Sequence, residues 1–197
     1  MFSNVADRFI ESLVEESKKV KLGDPMDKDT DIGPMASKAQ LKNTEEKVAL
    51  AKDEGARILT GGHRPKEFAR GYFFSPTILD RVRPDMEIVT EESFSPVIPV
   101  QKVDSLDEAI KMSNATKYGL GCTIFTKDIE RAMNAADKIK SGTVCINSPL
   151  MENIAAPFGG MKQSGIGREH GIEALDEFRE AKHIYIDYEH SKKSWWF

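Results

Sequence analysis

The feature that most restricts the fold of this sequence is a regular alternation of apolar and amphipathic segments that begins near Pro96. The order is strand, helix, strand, helix, strand, and the links between the segments are short. Short links return each helix across the sheet, which makes consecutive strands parallel. The pattern therefore predicts the α/β fold class with a largely parallel sheet. The five segments are SPVIPVQKV, SLDEAIKMSNAT, GLGCTIFT, KDIERAMNAADKIK and GTVCIN.

Two helices are predicted before this region. The first begins almost at the N-terminus, where apolar residues recur at helical spacing on one face: Val5, Phe9, Ile10, Leu13 and Val14. A loop rich in Gly, Pro and Asp then leads to Ser37, whose side chain is suited to capping a helix. The spacing predicts a helix over 38–54 that ends at Gly55.

Local signals predict four further features of the chain. Ser105 followed by Glu108 is a capping-box pattern at the start of a helix. Pro76 interrupts the strand-like segment GYFFSPTILDRV, which places that strand at an edge or at the start of a pairing. Near the end of the chain we expect a helix over 173–181 and a final strand over 183–188.

Composition limits the class of protein. The 197 residues suffice for one domain of ordinary size, and 40% apolar with 30% charged residues is typical of a soluble globular chain. A net charge of −4 argues against non-specific nucleic-acid binding, which needs a basic face. There is no apolar run of about 18 residues and no apolar signal core, so we expect neither a membrane span nor a secretory leader.

Cysteine and histidine usage offers no evident catalytic or metal centre. Cys122 and Cys145 lie in apolar runs, where reduced core thiols of an intracellular, cytoplasmic protein are the simplest interpretation. No base can be placed beside either thiol. The histidines lack ligand spacing on a shared helix face, so we expect no metal site; they are His63, His170, His183 and His190.

The stretch APFGGMKQSGIGREHG, residues 156–171, holds five glycines in sixteen residues. It fails the dinucleotide fingerprint, because no strand immediately precedes it and no acidic residue ends a following strand at the required distance. Two interpretations stay open. The stretch is either a tight crossing of the backbone before a helix, or a site loop beyond the carboxyl end of the strand GTVCIN.

The segment TEESFSPV places two adjacent carboxylates before an aromatic residue and a strand. Glu91 and Glu92 point in different directions in an extended chain, so at most one of them faces a given pocket. A carboxylate accepts two hydrogen bonds and is suited to hold two ribose hydroxyls, while a nearby aromatic side chain walls off a flat ring. The alternative is a solvated pair of charges in a loop.

Taken together and in order, these motifs resemble the aldehyde dehydrogenase superfamily, and specifically its C-terminal catalytic-domain portion. The matching blocks are GDPMDKDTDIGPM, EGARILTGG, GYFFSPTIL, EESFSPV, ATKYGLGCTIFTKD, SGTVCIN and PFGGMKQSGIGREHG. The resemblance implies a three-layer αβα catalytic domain over 1–182, followed by an oligomerisation strand and tail over 183–197. It also implies oxidation of an aldehyde to a carboxylic acid with NAD or NADP.

The resemblance assigns cofactor-binding roles to three residues. Glu92 matches the glutamate that holds the nicotinamide ribose, and Phe94 matches the aromatic residue beside the nicotinamide. Gln40 aligns with a residue that touches the cofactor in some members of the superfamily. Ser95 departs from the pattern, because the family usually has glycine at this position.

The resemblance also places two residues near the aldehyde substrate. Ser148 belongs to the segment 148–154, which is expected to form the substrate-facing loop. Phe158 matches a position near the substrate channel. This loop has one acidic residue and no Arg or Lys, so it offers no evident anchor for a substrate carboxylate.

By the same resemblance the catalytic groups themselves lie outside the chain. The nucleophilic cysteine would precede Met1, and the oxyanion amide, the base glutamate and the dinucleotide-binding domain would lie further upstream. Neither Cys122 nor Cys145 occupies the nucleophile position, so we assign no catalytic residue and expect the isolated chain to be inactive.

Two assemblies and one alternative function stay open for such a chain. It is expected to pair through its C-terminal strand with further copies, as a homo-oligomer, or with a separate N-terminal half of a split enzyme. The alternative is a non-catalytic assembly module. The terminal aromatic residues either join that pairing or fold back onto the same subunit; they are Trp195, Trp196 and Phe197.

Overall fold

The computed structural model describes residues 1–149 and 153–188. Among these residues, no helix is long and apolar enough to cross a membrane. The elements in chain order are α1 (Ser3–Lys19), α2 (Lys38–Asp53), β1 (Arg57–Thr60), β2 (Thr77–Asp80), α3 (Glu87–Thr90), β3 (Val97–Pro99), α4 (Leu106–Asn114), β4 (Gly121–Ile124), α5 (Ile129–Lys138), β5 (Thr143–Ile146), a 3₁₀ turn (Lys162–Ser164) and α6 (Glu173–Asp176).

The α/β class is confirmed and most of the described strand pairs are parallel, but the prediction that the strands form a single sheet is wrong. The described strands form two small sheets: a first sheet in the order β1-β2-β3 and a second sheet of β4 and β5. β1 runs antiparallel to β2, whereas β2 with β3 and β4 with β5 are parallel. Prolines shorten the first sheet, because β2 begins directly after Pro76 and β3 lies between Pro96 and its last residue, Pro99. Proline has no N–H to donate to a strand ladder.

Helices cover both faces of the first sheet. β2 is buried along its whole length, and its side chains alternate between two apolar clusters. Ile78 packs with Ala6 and Ile10 of α1. Leu79 packs in the cluster that contains Leu41 of α2. A three-layer arrangement of helix, sheet and helix is therefore present locally, around this one sheet.

The first helix is less covered than its pattern predicted. The amphipathic face was expected to bury five residues, but the helix buries Ala6 and Ile10, with Leu13 and Val14 packed at the margin of the cluster. Val5 and Phe9 remain exposed. They line an apolar groove of about 660 Å³ that also includes Phe125, beside the second sheet.

The capping predictions are confirmed. The Ser37 side chain accepts a hydrogen bond from the Gln40 amide at the start of α2, and Ser105 does the same for Glu108 at the start of α4. α2 ends one residue before the predicted position, and Gly55 then adopts a φ of +104°. This left-handed conformation is typical of a glycine that ends a helix.

The C-terminal predictions differ from the structure. The helix expected over 173–181 spans only Glu173–Asp176. The strand expected over 183–188 does not form, and the structure assigns these residues to no helix or strand. Short apolar-polar alternation does not form a strand without a partner to complete its hydrogen bonds. The three terminal aromatic residues lie outside the described residues.

Phe74 offers a direct test of the packing between α2 and the first sheet. It is 2% exposed and belongs to the cluster between α2 and the sheet. Phe74→Ala should lower the free energy of unfolding by about 3–5 kcal/mol, because it leaves a cavity in a packed core. Phe178→Ala is the matched control, since Phe178 is 89% exposed and its truncation should cost less than about 0.5 kcal/mol. Urea unfolding measures both, and equal effects would contradict the described core.

Candidate functional site

The loop of residues 91–95 links α3 to β3 and carries the predicted cofactor residues. The Glu92 side chain is solvent-exposed, and Phe94 is 75% exposed with a φ of +39°. A positive φ is unfavourable for an aromatic residue, so this loop needs support from its surroundings. Ser95 stands where the family pattern has glycine, and its hydroxyl lies 2.9 Å from the Ser93 hydroxyl.

Helix α2 supports this loop from one side. The Gln40 side-chain amide donates a hydrogen bond to the Phe94 carbonyl at 2.5 Å. The Lys47 ammonium donates to the Glu92 carbonyl at 3.0 Å. Gln40 was predicted at the cofactor site from the resemblance, but Lys47 was missed. The available signal was its spacing, because residues seven apart share one helix face.

Lys117 also supports the loop, through a side chain. Its ammonium lies 2.7 Å from both carboxylate oxygens of Glu91, and the Tyr118 hydroxyl donates to one of them at 3.4 Å. The hydrogen bond from Lys117 lowers the pKa of the Glu91 carboxyl, and Glu91 in turn raises the pKa of Lys117. Glu91 is therefore engaged in an ion pair, and Glu92 is left to face outward, as the alternation predicted.

A cavity of about 600 Å³ opens beside the loop. Glu92 and Phe94 line it, together with polar groups from the glycine-rich stretch, Gln163 and Ser164. Cys122 of β4 forms part of the same wall. The loop and part of the glycine-rich stretch thus line the same cavity.

The glycine-rich stretch is a crossing of the backbone, which was one of the two interpretations left open. The Met161 amide donates to the Gly119 carbonyl at 2.8 Å, and the Ser164 hydroxyl accepts from the Gly119 amide at 2.9 Å. A Cβ placed on Gly142 would lie 1.6 Å from the Gly159 carbonyl oxygen. Two main chains touch at this point, and only glycine fits there.

The two predicted substrate residues lie away from this cavity. Phe158 forms an antiparallel bridge with Glu169, and its ring lies 6.2 Å from that of His170. Ser148 is half-buried just after β5. Neither residue lines the cavity beside Glu92. Residues 150–152 of the predicted substrate loop lie outside the described residues.

The cysteines do not provide an activated nucleophile. Both are only half-buried, whereas the strand pattern predicted buried core thiols, and burial raises the pKa of the Cys122 thiol. A raised pKa lowers the thiolate fraction at neutral pH, which is opposite to what nucleophilic catalysis needs. In the described part of the chain, no group of three or more His, Cys, Asp or Glu residues is placed to hold a metal ion.

The chemistry of the cavity is that of a binding site. An exposed carboxylate accepts hydrogen bonds from paired hydroxyls, and an exposed ring covers a flat heterocycle. Among the described lining residues there is no pairing of a thiol with a base. The arrangement is therefore suited to hold a sugar joined to a flat ring.

Comparison with known proteins gives consistent matches over nearly the whole chain. Residues 2–184 match the family model described as the aldehyde dehydrogenase family. The betaine aldehyde dehydrogenase of Brucella anthropi is 42% identical over 186 residues, which cover 93% of this chain and 38% of that protein. The cytosolic 10-formyltetrahydrofolate dehydrogenase of Xenopus tropicalis is also 42% identical, over 94% of this chain and 20% of that protein.

A solved structure agrees with the fold. Betaine aldehyde dehydrogenase from Staphylococcus aureus, in complex with NAD+, matches with a TM-score of 0.92 and 40% identity. The match covers 99% of this chain and 39% of that one. The chain thus spans about two fifths of the length of this relative.

The contact between Gly142 and Gly159 predicts a strong position effect. Gly142→Ala should lower the free energy of unfolding by about 3 kcal/mol or more, because the added Cβ would overlap the Gly159 carbonyl. Gly121→Ala is the control, since a Cβ there meets nothing within 4 Å and the effect should stay below about 1 kcal/mol. The measurement is urea unfolding, and a tolerated Gly142→Ala would refute the crossing.

The ion pair at Glu91 predicts a change in titration. In the folded protein the Glu91 pKa is lowered, so its contribution to stability is present above its unfolded-state pKa and is lost as the pH falls through the folded-state pKa. Lys117→Met should raise the Glu91 pKa towards the ordinary value of a glutamate, measured by carboxyl carbon NMR. Lys111→Met, an exposed lysine of α4, should leave it unchanged. An unaltered Glu91 titration in Lys117→Met would show that another group causes the shift.

Proposed function

Because this chain belongs to the aldehyde dehydrogenase family, we propose that it is one part of an NAD(P)-dependent enzyme that oxidises an aldehyde to a carboxylic acid. The observation that carries the proposal is the cavity beside the 91–95 loop, where Glu92 and Phe94 face outward together. The similarity to enzymes named betaine aldehyde dehydrogenase makes betaine aldehyde the first substrate to test.

The residues present fit the nicotinamide end of the cofactor. Glu92 is exposed and would accept hydrogen bonds from the ribose hydroxyls, and the exposed ring of Phe94 would cover the nicotinamide ring. Gln40 acts indirectly, since its side-chain amide donates a hydrogen bond to the Phe94 carbonyl. When bound, the cofactor supplies the acceptor for hydride. The contribution of this chain is to bind and orient that end of it.

The nucleophile and the base come from outside this chain in the proposed enzyme. Cys122 is an unsuitable nucleophile because burial raises the pKa of its thiol. The order of the motifs is what supports the finer proposal that the chain is the C-terminal catalytic-domain portion, over 1–182. Ser148 and Phe158 are proposed to face the aldehyde once the remaining part of the enzyme completes the site.

Assembly through residues 183–197 is proposed on the exposure of the apolar side chains Ile184 and Ile186. The partner is a further copy of the chain or a separate N-terminal half. If the chain is instead an assembly module without catalysis, it forms a stable homo-oligomer alone. Sedimentation of the chain with and without 183–197 tests this, and an unchanged mass would remove the assembly role.

The proposed activity is tested in a chimera. Residues 2–184 replace the matching segment of the Brucella anthropi enzyme, and reduction of NAD+ with betaine aldehyde is measured. We expect turnover by the chimera and none by the isolated chain. Glu92→Gln should raise the KM for NAD+ about tenfold or more, because it weakens hydrogen bonds to a charged acceptor.

Thr116→Ala is the control in the chimera, because Thr116 lines the same cavity without a predicted role in binding the ribose. It should change the KM for NAD+ much less than Glu92→Gln. A folded chimera without turnover, or turnover by the isolated chain, would overturn the proposal. An unchanged KM in Glu92→Gln would remove the ribose-binding role alone.

A further inference from the structure

Lys47 is a buried cation in the middle of an otherwise ordinary surface helix. Its side chain is only 7% exposed, although lysine is rarely buried without a partner. Its ammonium reaches the main chain of the 91–95 loop and donates to the carbonyls of Glu92 at 3.0 Å and Glu91 at 3.4 Å. The nearest carboxylate, that of Glu87, lies farther away at 4.0 Å. The loop carbonyls are therefore its closer partners.

Gln40 lies two helical turns before Lys47 on the same face of α2, about 10 Å away along the axis. Its side chain donates to the Phe94 carbonyl. The two side chains together hold three carbonyls of one loop, those of Glu91, Glu92 and Phe94. Between them the Thr44 hydroxyl donates to the Gln40 carbonyl, within the helix.

The loop needs this support because of its conformation. Phe94 has a φ of +39°, a backbone angle that residues other than glycine rarely adopt. Such a conformation persists only where the surroundings determine it. No helix or strand includes residues 92–95, so the contacts from α2 provide that determination on this side.

We propose that Lys47 is a positioning residue, which acts through the carbonyls of Glu91 and Glu92 to hold the loop so that Glu92 faces the cavity. This rests on the proposed function for the role of Glu92, but the anchoring itself does not. Lys47 does not line the cavity itself. Its effect is on the orientation and mobility of the loop.

The test compares three substitutions in the full chain. Lys47→Met keeps the stem and removes the ammonium, Lys47→Arg keeps the charge and the donors, and Lys42→Met is the matched control. Lys42 lies on the same helix, but its side chain is 73% exposed and pairs with Glu46. Should Lys47→Met fail to fold, Lys47→Gln gives the same comparison, because it retains a shorter donor.

The first measurement is amide hydrogen exchange of residues 91–95, relative to that of β2. Lys47→Met should speed exchange in the loop about tenfold or more, with β2 changed less, since only local opening is affected. Lys47→Arg should restore much of the protection, and Lys42→Met should match the unchanged chain. Loop exchange that stays the same in Lys47→Met, or rises no more than that of β2, would overturn the proposal.

The second measurement is an NMR titration with nicotinamide mononucleotide, which carries the ribose and the ring without the rest of the cofactor. The Glu92 and Phe94 amides should shift in the unchanged chain, and Lys47→Met should weaken binding about threefold or more, with Lys47→Arg closer to the unchanged chain. Shifts with equal affinity in Lys47→Met would overturn the positioning role. Absence of shifts in the unchanged chain, together with faster loop exchange in Lys47→Met, would leave the anchoring intact and refute the cofactor role of Glu92.

Discussion

Two adjacent side chains of β2 point in opposite directions, and the geometry of the candidate site depends on that alternation. Ile78 holds α1 on one face of the first sheet, and Leu79 holds α2 on the other. The position of α2 fixes where Gln40 meets the 91–95 loop. The sheet fixes the end of the same loop, because the Thr77 amide donates to the Pro96 carbonyl at 2.8 Å. The position of the exposed Glu92 thus depends on the buried strand β2.

The part of the cavity wall formed by Gly119 and the glycine-rich stretch is held by contacts between main chains. The Gly119 carbonyl accepts from both Gly142 and Met161, so β5 and the glycine-rich stretch meet at one residue. Lys117 belongs to the same segment and pairs with Glu91 of the 91–95 loop. The segment and the loop are therefore joined by an ion pair at the surface, while each is also supported by buried or main-chain contacts.

Local signals in the sequence predicted local structure well. Ser37 and Ser105 cap helices through bonds to residues three positions away, and such bonds are visible in the sequence. The division into two sheets was not predictable in this way, since strand pairing depends on distant partners and on prolines that end each ladder. Lys47 was missed for a similar reason. Its partners are carbonyls more than forty residues away, and every residue has a carbonyl.

The resemblance supplied what the local patterns could not. It brought Gln40 and Phe94 together as cofactor residues, and the structure joins them by a hydrogen bond. It did not bring Phe158 to the same cavity, because the bridge with Glu169 turns that residue towards His170. A family motif thus predicts the region of the fold in which a residue lies, whereas the direction of its side chain depends on the backbone around it.

The contacts from α2 to the loop end on main-chain carbonyls, and this has a consequence for how the site can diversify. A carbonyl is present whatever the side chain is, so substitutions at positions 92 and 94 leave the anchoring partners of Lys47 and Gln40 in place. The loop can therefore exchange its carboxylate or its ring during evolution while keeping its path. Anchoring of this kind allows the path of a loop to be conserved while the binding specificity of its side chains changes.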